Sequence, residues 1–425
     1  MKRRHQVVLF AVLLLSLTIL SPSFDFRGSQ LNQEREQEKD TFPGSLSRNE
    51  DAQAPLEIVV AMSDEEFQAF QKIAKEVAAS QLVEINLRNE KPDTYKRVLD
   101  LEFSLRENGD VVLLDSEEVQ YYARKGYLYP LNGTTLSKSL GDTVVELRGM
   151  TEWNGYQWGM PFDFDPYILA AQSSFLKRTG LESLPRNKDQ WVKLTQQAIA
   201  EGIPLITMNI NDVYGTNAWL NHLEPRMAPD QVKRTQIDSQ TGDLQQGIKL
   251  MNQIQPLIRL ESTNPEFSPT ADQNYTPMVV SLLSQLLSAD QASIVDEDSL
   301  ERISFETLES VNSRSLVITA GSVEAEEASR WIEGMTSATT QLKWYQQVNR
   351  LPAKQQELDL ESEKLVGRYD MTKGQSWFSH TQDVPAATTE SHALITRFHQ
   401  KVQQFLKGEI TANQYVDSIR ITSLK

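Results

Sequence analysis

From Leu56 to Gly126 the chain alternates apolar strand patterns with amphipathic helix patterns, and this alternation constrains the fold more than any other feature. Leu56–Met62 (LEIVVAM) is a near-continuous apolar run and reads as a strand. Ser63-Asp64-Glu65-Glu66 follows with a Glu three residues after a Ser, a capping box that starts a helix. Phe67, Phe70, Ile73, Ala74 and Val77 then recur at helical spacing. Val83–Leu87 alternates like a second strand. A helix carrying Tyr95, Leu99 and Phe103 comes next, and Asn108-Gly109 turns the chain into a third strand, Asp110–Leu114 (DVVLL). Ser116 is expected to cap another helix, which Gly126 closes. This order implies parallel strands joined by right-handed crossovers, in a sheet buried on both faces. Ligands of open α/β sheets bind outside the carboxyl ends of the strands. Here those ends are Met62-Ser63, Leu87-Arg88 and Leu114-Asp115-Ser116.

Later segments alternate less cleanly. Gln190–Ala200 reads as an amphipathic helix, and Ile203–Met208 and Ser315–Thr319 as strands. Ser322 is expected to cap a long helix whose inner face is Ala325, Ala328, Trp331, Ile332 and Met335, with Glu324, Glu326 and Glu327 complementing its dipole. The stretch from Ser391 to Lys425 reads as helical, broken near Gly408. At the N-terminus, Lys2, Arg3 and Arg4 precede the apolar run Val7–Leu20 and the small residues Ser21-Pro22-Ser23. Residues 1–24 read as a secretory signal, cleaved or retained as an anchor; the run is shorter than the roughly 20 residues that span a bilayer. Residues 25–54 are polar and charged and read as a flexible tether.

Composition excludes several classes. A net charge of −16 argues against nucleic acid as a partner, since phosphate recognition relies on clustered Lys and Arg. The chain has no cysteine, which removes disulfides, thiolate metal sites and Cys nucleophiles. No phosphate-binding glycine loop, dinucleotide fingerprint, nucleophile elbow or H-E-x-x-H pair occurs, so no cofactor and no metal is expected. His392 and His399 share a face of one predicted helix, and a solvated or half-buried face accounts for them better than a zinc pair. Asp163 and Asp165 in MPFDFDPY point the same way on a strand. An acid pair like that of glycosidases is the weaker reading; binding ligand hydroxyls or fixing a hinge is the stronger. Trp153, Tyr156 and Trp158 cluster, Tyr214 and Trp219 sit in the polar stretch NINDVYGTNAW, and Trp377 sits in KGQSWFSH. Aromatics in such surroundings suit stacking on sugar rings, with a place in the core an equal reading for Tyr214, Trp219 and Trp377, whereas Trp191, Trp331 and Trp344 lie on helical patterns and belong to the core.

Three stretches resemble the extracellular solute-binding proteins that include the maltose-binding-like proteins. Asp110–Leu131 is similar to that family's strand–helix–"G-L-L-P-L" block. Trp153–Gly180 is similar to its "G-K-x-Y-G-V-P … Y-N-K-x-L-F-x-x-A-G" block, and LESLPRNKDQWVKL to its "P-x-T-W-D-E-L". Ser315–Ala353 is similar to its late strand and helix, ending here in Asn349-Arg350-Leu351-Pro352-Ala353. With the first strand, the resemblance spans most of residues 55–355. It implies a type II periplasmic-binding-protein-like α/β fold, with two α/β lobes, a hinge and an interlobe cleft. Lobe 1 would comprise 55–166 plus 295–318, and lobe 2 167–294 plus 319–425, with crossings near Gln291–Val295 and Ile318. The implied function is capture of a small solute, a sugar or oligosaccharide above all, for the membrane permease of an ABC importer. The protein would be an exported monomer on the outer face of the membrane or released, without turnover. The cleft candidates are Ser63, Asp64, Asp115, Ser116, Trp153, Asp163, Tyr214, Trp219 and Trp377. The departures are the missing lipidation cysteine, Ala171-Gln172-Ser173 in place of Tyr-Asn-Lys, and a poor match beyond residue 355. They suggest as an alternative a ligand-sensing or scaffold protein at the cell surface with a diverged site. A glycosidase using Asp163 is a third reading.

Overall fold

The computed structural model describes residues 54–132, 136–224, 242–265, 275–292, 303–371, 377–378 and 389–423. The expected signal, nearly all of the tether and the side chain of His392 lie outside the described residues. The N-terminal alternation forms β1 (Leu56–Ala61), α1 (Asp64–Gln81), β2 (Ile85–Glu90), α2 (Pro92–Leu105), β3 (Val111–Asp115) and α3 (Ser116–Arg124). β1 pairs in parallel with both β2 and β3. The capping box is made: Ser63 Oγ accepts from the Glu66 N–H at 3.2 Å, and the Glu66 carboxylate accepts from the Ser63 N–H at 3.3 Å. Ser116 does not cap α3. Asp115 holds the cap position, and the Ser116 hydroxyl is bound to Ser315 Oγ at 2.7 Å.

The chain continues through α4 (Val145–Thr151) into a short hairpin, β4 (Glu152–Trp153) and β5 (Tyr156–Gln157). Asn154 and Gly155 turn it with φ of 53° and 75°, the left-handed pair that a two-residue hairpin loop requires. Next come β6 (Met160–Gln172), α5 (Ser173–Arg178), α6 (Lys188–Glu201), β7 (Ile206–Asn209) and α7 (Val213–Leu223). They are followed by α8 (Gly242–Ile254), β8 (Ile258–Glu261), β9 (Met278–Leu282), α9 (Leu283–Ala292) and β10 (Ile303–Ile318). The last elements are α10 (Ala325–Met335), α11 (Ala338–Val348), β11 (Leu351–Pro352), α12 (Gln355–Arg368), β12 (Asp370–Met371), α13 (Thr389–Leu406) and α14 (Ala412–Ser423). The expected long helix after Ser322 is thus two, divided where Ser337 caps α11.

One sheet, ordered β2-β1-β3-β10-β6-β9-β7-β8, runs through the molecule. Its middle is the antiparallel pair β6 and β10, which cross from one lobe to the other. In the first lobe, alternate residues sort to opposite faces, as the strand period demands. Leu56, Ile58, Val60, Val111 and Leu113 meet α1, α10 and α11, while Val59, Val112 and Leu114 meet α2 and α3. Phe70 stands edge-on to Phe162, Trp331 and Trp344 at centroid separations of 6.0, 6.4 and 6.0 Å. Each such pair adds about 0.5–1.5 kcal/mol beyond the area it buries. In the second lobe, Tyr167, Leu169, Met278 and Val280 pack with α5 to α8, α13 and α14. On the opposite face, Ile168, Val279 and Phe305 pack with α9 and α12.

The packing departs from the expected boundary. Trp331, Ile332, Met335 and Trp344 join the core of the first lobe, although they follow Ile318, where the chain was expected to leave it. Their apolar stripe fits the surface of α1 that β1 does not cover. The chain passes out of that lobe later, through β11, which pairs with Asp163 and Phe164 of β6. The expected crossing at Gln291–Val295 falls at the end of α9 and on residues outside those described; the returning strand is β10. Among the described residues no helix is long and apolar enough to cross a membrane.

Candidate functional site: strand ends meeting at the crossing

The registers of β6 and β10 bring the strand ends of the two lobes together. Asp115, the last residue of β3, lies opposite Arg314, and Arg314 lies opposite Asp163. From the other lobe, Leu282, the last residue of β9, lies opposite Tyr167. The carboxyl ends of both half-sheets therefore face each other across residues 163–167 of one crossing strand.

Beneath this line is a buried ion cluster. Asp163 accepts from Arg314 Nε at 3.0 Å, from Arg350 Nε at 3.0 Å and from Trp344 Nε1 at 2.8 Å, and Arg314 Nη2 also binds it. Arg350 continues to Asp165 at 3.3 Å and to the carbonyl and side chain of Asn312 at 2.9 and 2.8 Å. Asp165 accepts from the N–H and hydroxyl of Ser284 at 3.0 and 2.5 Å. Burial alone would raise both carboxyls. At Asp163 the charges and hydrogen bonds of Arg314 and Arg350 outweigh it and hold the group below the ordinary range. At Asp165 desolvation wins, and the group stands above that range.

On the first-lobe side, Ser63, Asp64 and Asp115 are exposed. Asn89 fixes the end of β1 by accepting from the Met62 N–H and donating to the Met62 carbonyl, both at 3.1 Å. Asp115 is open to solvent, yet desolvation by the protein around it, then the charge of Glu118, push it up to about 6 against the opposing pull of Arg314 and Arg350. On the second-lobe side, Asp212 caps α7 by accepting from the N–H groups of Tyr214 and Gly215 at 3.1 and 3.0 Å. It also accepts from the Tyr167 hydroxyl at 3.0 Å. Asn209 and Asn211 complete this strand end, bound to Asn264 and to the Ser262 carbonyl at 2.8 and 3.0 Å. The Tyr214 hydroxyl is raised by burial and then by the charges of Glu117, Asp115 and Glu118, which places it within electrostatic reach of the first lobe's α3.

Of the nine sequence candidates, the structure gathers Ser63, Asp64, Asp115 and Tyr214 around the crossing, with Asp163 beneath them. Asp163 is wholly buried and its oxygens are taken by two guanidiniums and an indole, so it ties β6, β10 and α11 together and is not open to a ligand. Ser116 is buried under β10. Trp219 is not in a turn: it lies on α7, fully buried among apolar neighbours, and its indole N–H has no hydrogen-bond partner among the described residues. Trp153 lies half-buried on the hairpin at the edge of the core around Phe103 and Tyr122, its ring 6.0 Å from that of Trp158 and 5.9 Å from the Arg124 guanidinium. Trp377 packs against the core around Phe164 and gives its N–H to Ser362 at 2.8 Å. Neither indole has a described contact with Asp115 or Tyr214. Sequence reasoning missed Arg314, Glu66, Asn209, Asn211 and Asp212. The asparagine-rich NIND after a strand was the available signal for the last three. Arg314 had none, because its role depends on a register between distant strands.

A separate concavity of about 680 Å³ lies beside α6 and α7, lined by Arg186, Lys188, Trp191, His222 and Glu224. Two contacts lie at its wall: Lys188 pairs with Glu224 at 2.9 Å, and His222 lies 3.1 Å from Glu306. Burial lowers His222 to about 4 and raises Glu306 to about 7, so this pair is uncharged near pH 6. His399 is buried beside Phe398. Among the described residues no group of side chains could hold a metal ion.

No family model matches the chain, and no curated protein matches it. Solved structures do. The GacH receptor of Streptomyces glaucescens, known in complex with acarbose, is 15% identical, with 88% of this chain and 100% of that one covered at a TM-score of 0.61. Maltose-bound MalE3 of T. maritima is 14% identical over 87% and 99%, at 0.62. A chitin oligosaccharide binding protein is 15% identical over 87% and 98%, at 0.65. These neighbours are binding proteins. The chain has the fold of the maltose-binding-like, type II solute-binding proteins, with two α/β lobes joined by crossing strands.

Proposed function

We propose that the protein captures a sugar or oligosaccharide between its lobes and delivers it to the permease of an ABC importer, without chemical turnover. The observation that carries this reading is the meeting of exposed polar strand ends across the crossing: Ser63, Asp64 and Asp115 on one side, Asn211 and Tyr214 on the other. Carboxylates and amides accept and donate to hydroxyls, and a tyrosine ring offers an apolar face to a sugar ring. The neighbours that share the fold include proteins solved with acarbose and maltose. The exposed ends carry Asp64 and Asp115, while Arg314 and Arg350 are occupied by Asp163, so the cleft favours neutral or amine-bearing solutes over anionic ones. The glycosidase reading loses its acid, because Asp163 is buried and ion-paired. Export, a monomeric state, and retention by the segment around Val7–Leu20 or release, in the absence of a cysteine for lipidation, belong to the same proposal.

The test is a thermal-shift screen of the full chain against neutral sugars, oligosaccharides, amino sugars, polyamines and uronic acids. A ligand that binds only the folded state stabilises it by about 2.7 kcal/mol at a hundred times its Kd. A dose-dependent rise in Tm with a neutral or amino sugar, and none with uronic acids, is the expected result. Cooperative melting that no sugar shifts would overturn the reading.

A further inference from the structure

The buried cluster is more than a knot at the crossing; it is a continuous path. Glu66 Oε1 meets Arg314 Nη1 at 3.3 Å, and Arg314 holds Asp163. Asp163 holds Arg350, Arg350 reaches Asp165, and Asp165 takes both donors of Ser284. The first member stands in the opening turn of α1, at the solute-facing end of β1. The last stands in the opening turn of α9, which leaves β9 of the second lobe.

The ends of the path and its middle differ in exposure, since Glu66 and Ser284 are both half-buried. The Glu66 side chain is 27% exposed, whereas Arg314, Arg350, Asp163 and Asp165 are 9%, 7%, 0% and 1% exposed. Glu66 is thus where the path reaches solvent on the first-lobe side, and it shares a capping box with Ser63. The strands that carry the path are irregular on both sides of it. The register of β10 against β6 shifts between Thr307 and Val311, where Leu308–Ser310 face Tyr167, and again between Arg314 and Ser315. Between these two shifts Val311–Arg314 pair in regular register with Pro166–Asp163, and the cluster sits on that short stretch. Replacing a buried ion cluster by apolar residues of similar volume is often neutral or stabilising, so stability alone does not account for it.

We infer that this path couples the solute-facing end of the first lobe to the start of α9 in the second, with Arg314 as the positioning residue, so that occupancy at Ser63 and Asp64 sets the closure of the lobes. The solute's part in this rests on the capture function proposed above; the coupling itself does not require a solute. Arg314 shares its donors between a hinge-strand carboxylate and a cleft-edge carboxylate. A displacement of α1's first turn therefore moves the guanidinium, and with it the shared oxygens of Asp163 on which Arg350 depends.

A double-variant cycle tests it. Glu66→Gln keeps an acceptor for the Ser63 N–H, since Gln also completes a capping box, and removes only the charge facing Arg314. Ser284→Ala removes the hydroxyl from Asp165 and leaves the N–H. Because the full chain has no cysteine, Lys72→Cys and Gln196→Cys place one spin label on each lobe, and pulsed EPR reads the interlobe distance distribution without ligand. Each single variant is expected to change the open-to-closed ratio by about twofold or more, and the double variant to change it by less than the product of the two. Glu76→Gln, on the same helix as Glu66, loses only a surface pair with Lys343 of α11 and is expected to leave the distribution unchanged. Single effects that multiply, or distributions identical in all variants, would overturn the coupling. A wild type that no sugar shifts but whose cycle is non-multiplicative overturns the capture reading and supports the coupling. A wild type that binds sugar but whose effects multiply overturns the coupling alone.

Discussion

Asp115 and Asp163 lie one strand apart from the same arginine, in a single row of the sheet, and have opposite fates. Asp163 sits inside a crossing strand, where every residue is buried, and it persists as a charge because two guanidiniums surround it. Asp115 sits where β3 stops and α3 begins, so its side chain reaches solvent and keeps no guanidinium of its own. The residue type is shared; the strand end decides whether the carboxylate builds the frame or remains free to meet a solute.

The largest expected effect lies on the frame side. Asp163→Asn leaves two buried guanidiniums short of an anion and should reduce the stability of the fold by about 3–5 kcal/mol, read as a lower midpoint in chemical denaturation. A loss below about 1 kcal/mol would mean that the cluster is not the anchor its burial implies.

Asp115→Asn should do the reverse: little loss of stability, with affinity for the captured solute reduced at least about tenfold, which corresponds to 1.4 kcal/mol. The pH dependence sharpens the contrast. A carboxylate held at about 6 in the folded protein and near 3.9 in the unfolded chain binds its proton more tightly when folded. Its contribution to stability is complete below about pH 4 and is lost as pH rises through about 6. The variant should therefore gain on the wild type between about pH 4 and 6, with the difference gone below that window, as Tm measured across pH will show.

The smallest effect separates two aromatics on α7. Tyr214→Phe should weaken solute binding about fivefold, the size of one hydrogen bond of about 1 kcal/mol, without lowering Tm. Trp219→Phe should leave affinity unchanged and act only on the core. Calorimetry that finds the reverse order would move the site away from the strand ends.

The same contrast explains what the sequence shows and hides. The first lobe is legible because its strands and helices are consecutive, and the periodicity of Leu56–Arg124 carries capping, burial and strand order at once. Trp331 and Trp344 were readable as core from their helical spacing, but not as core of the first lobe, since a stripe does not say which surface it meets. Ser63 and Asp115 could be placed at strand ends because a strand followed by a helix cap fixes both. Trp219 was misplaced because the polar letters around it, Asn217 and Asn221 included, belong to a half-buried helix and not to a turn. Arg314 and Arg350 join Asp163 across a long sequence separation, and no local pattern reports a partnership of that kind.

The late return of β10 also governs how the chain is made. Leu316, Ile318, Trp331 and Trp344 complete the core begun by β1 and α1, and Phe398, Phe405 and Tyr415 complete the core of the second lobe. During synthesis, the N-terminal strands thus wait for residues more than half a chain away, and loop closure on that scale delays folding. The core of the first lobe stays unfinished until Trp344 has emerged, and that of the second until α13 and α14 have.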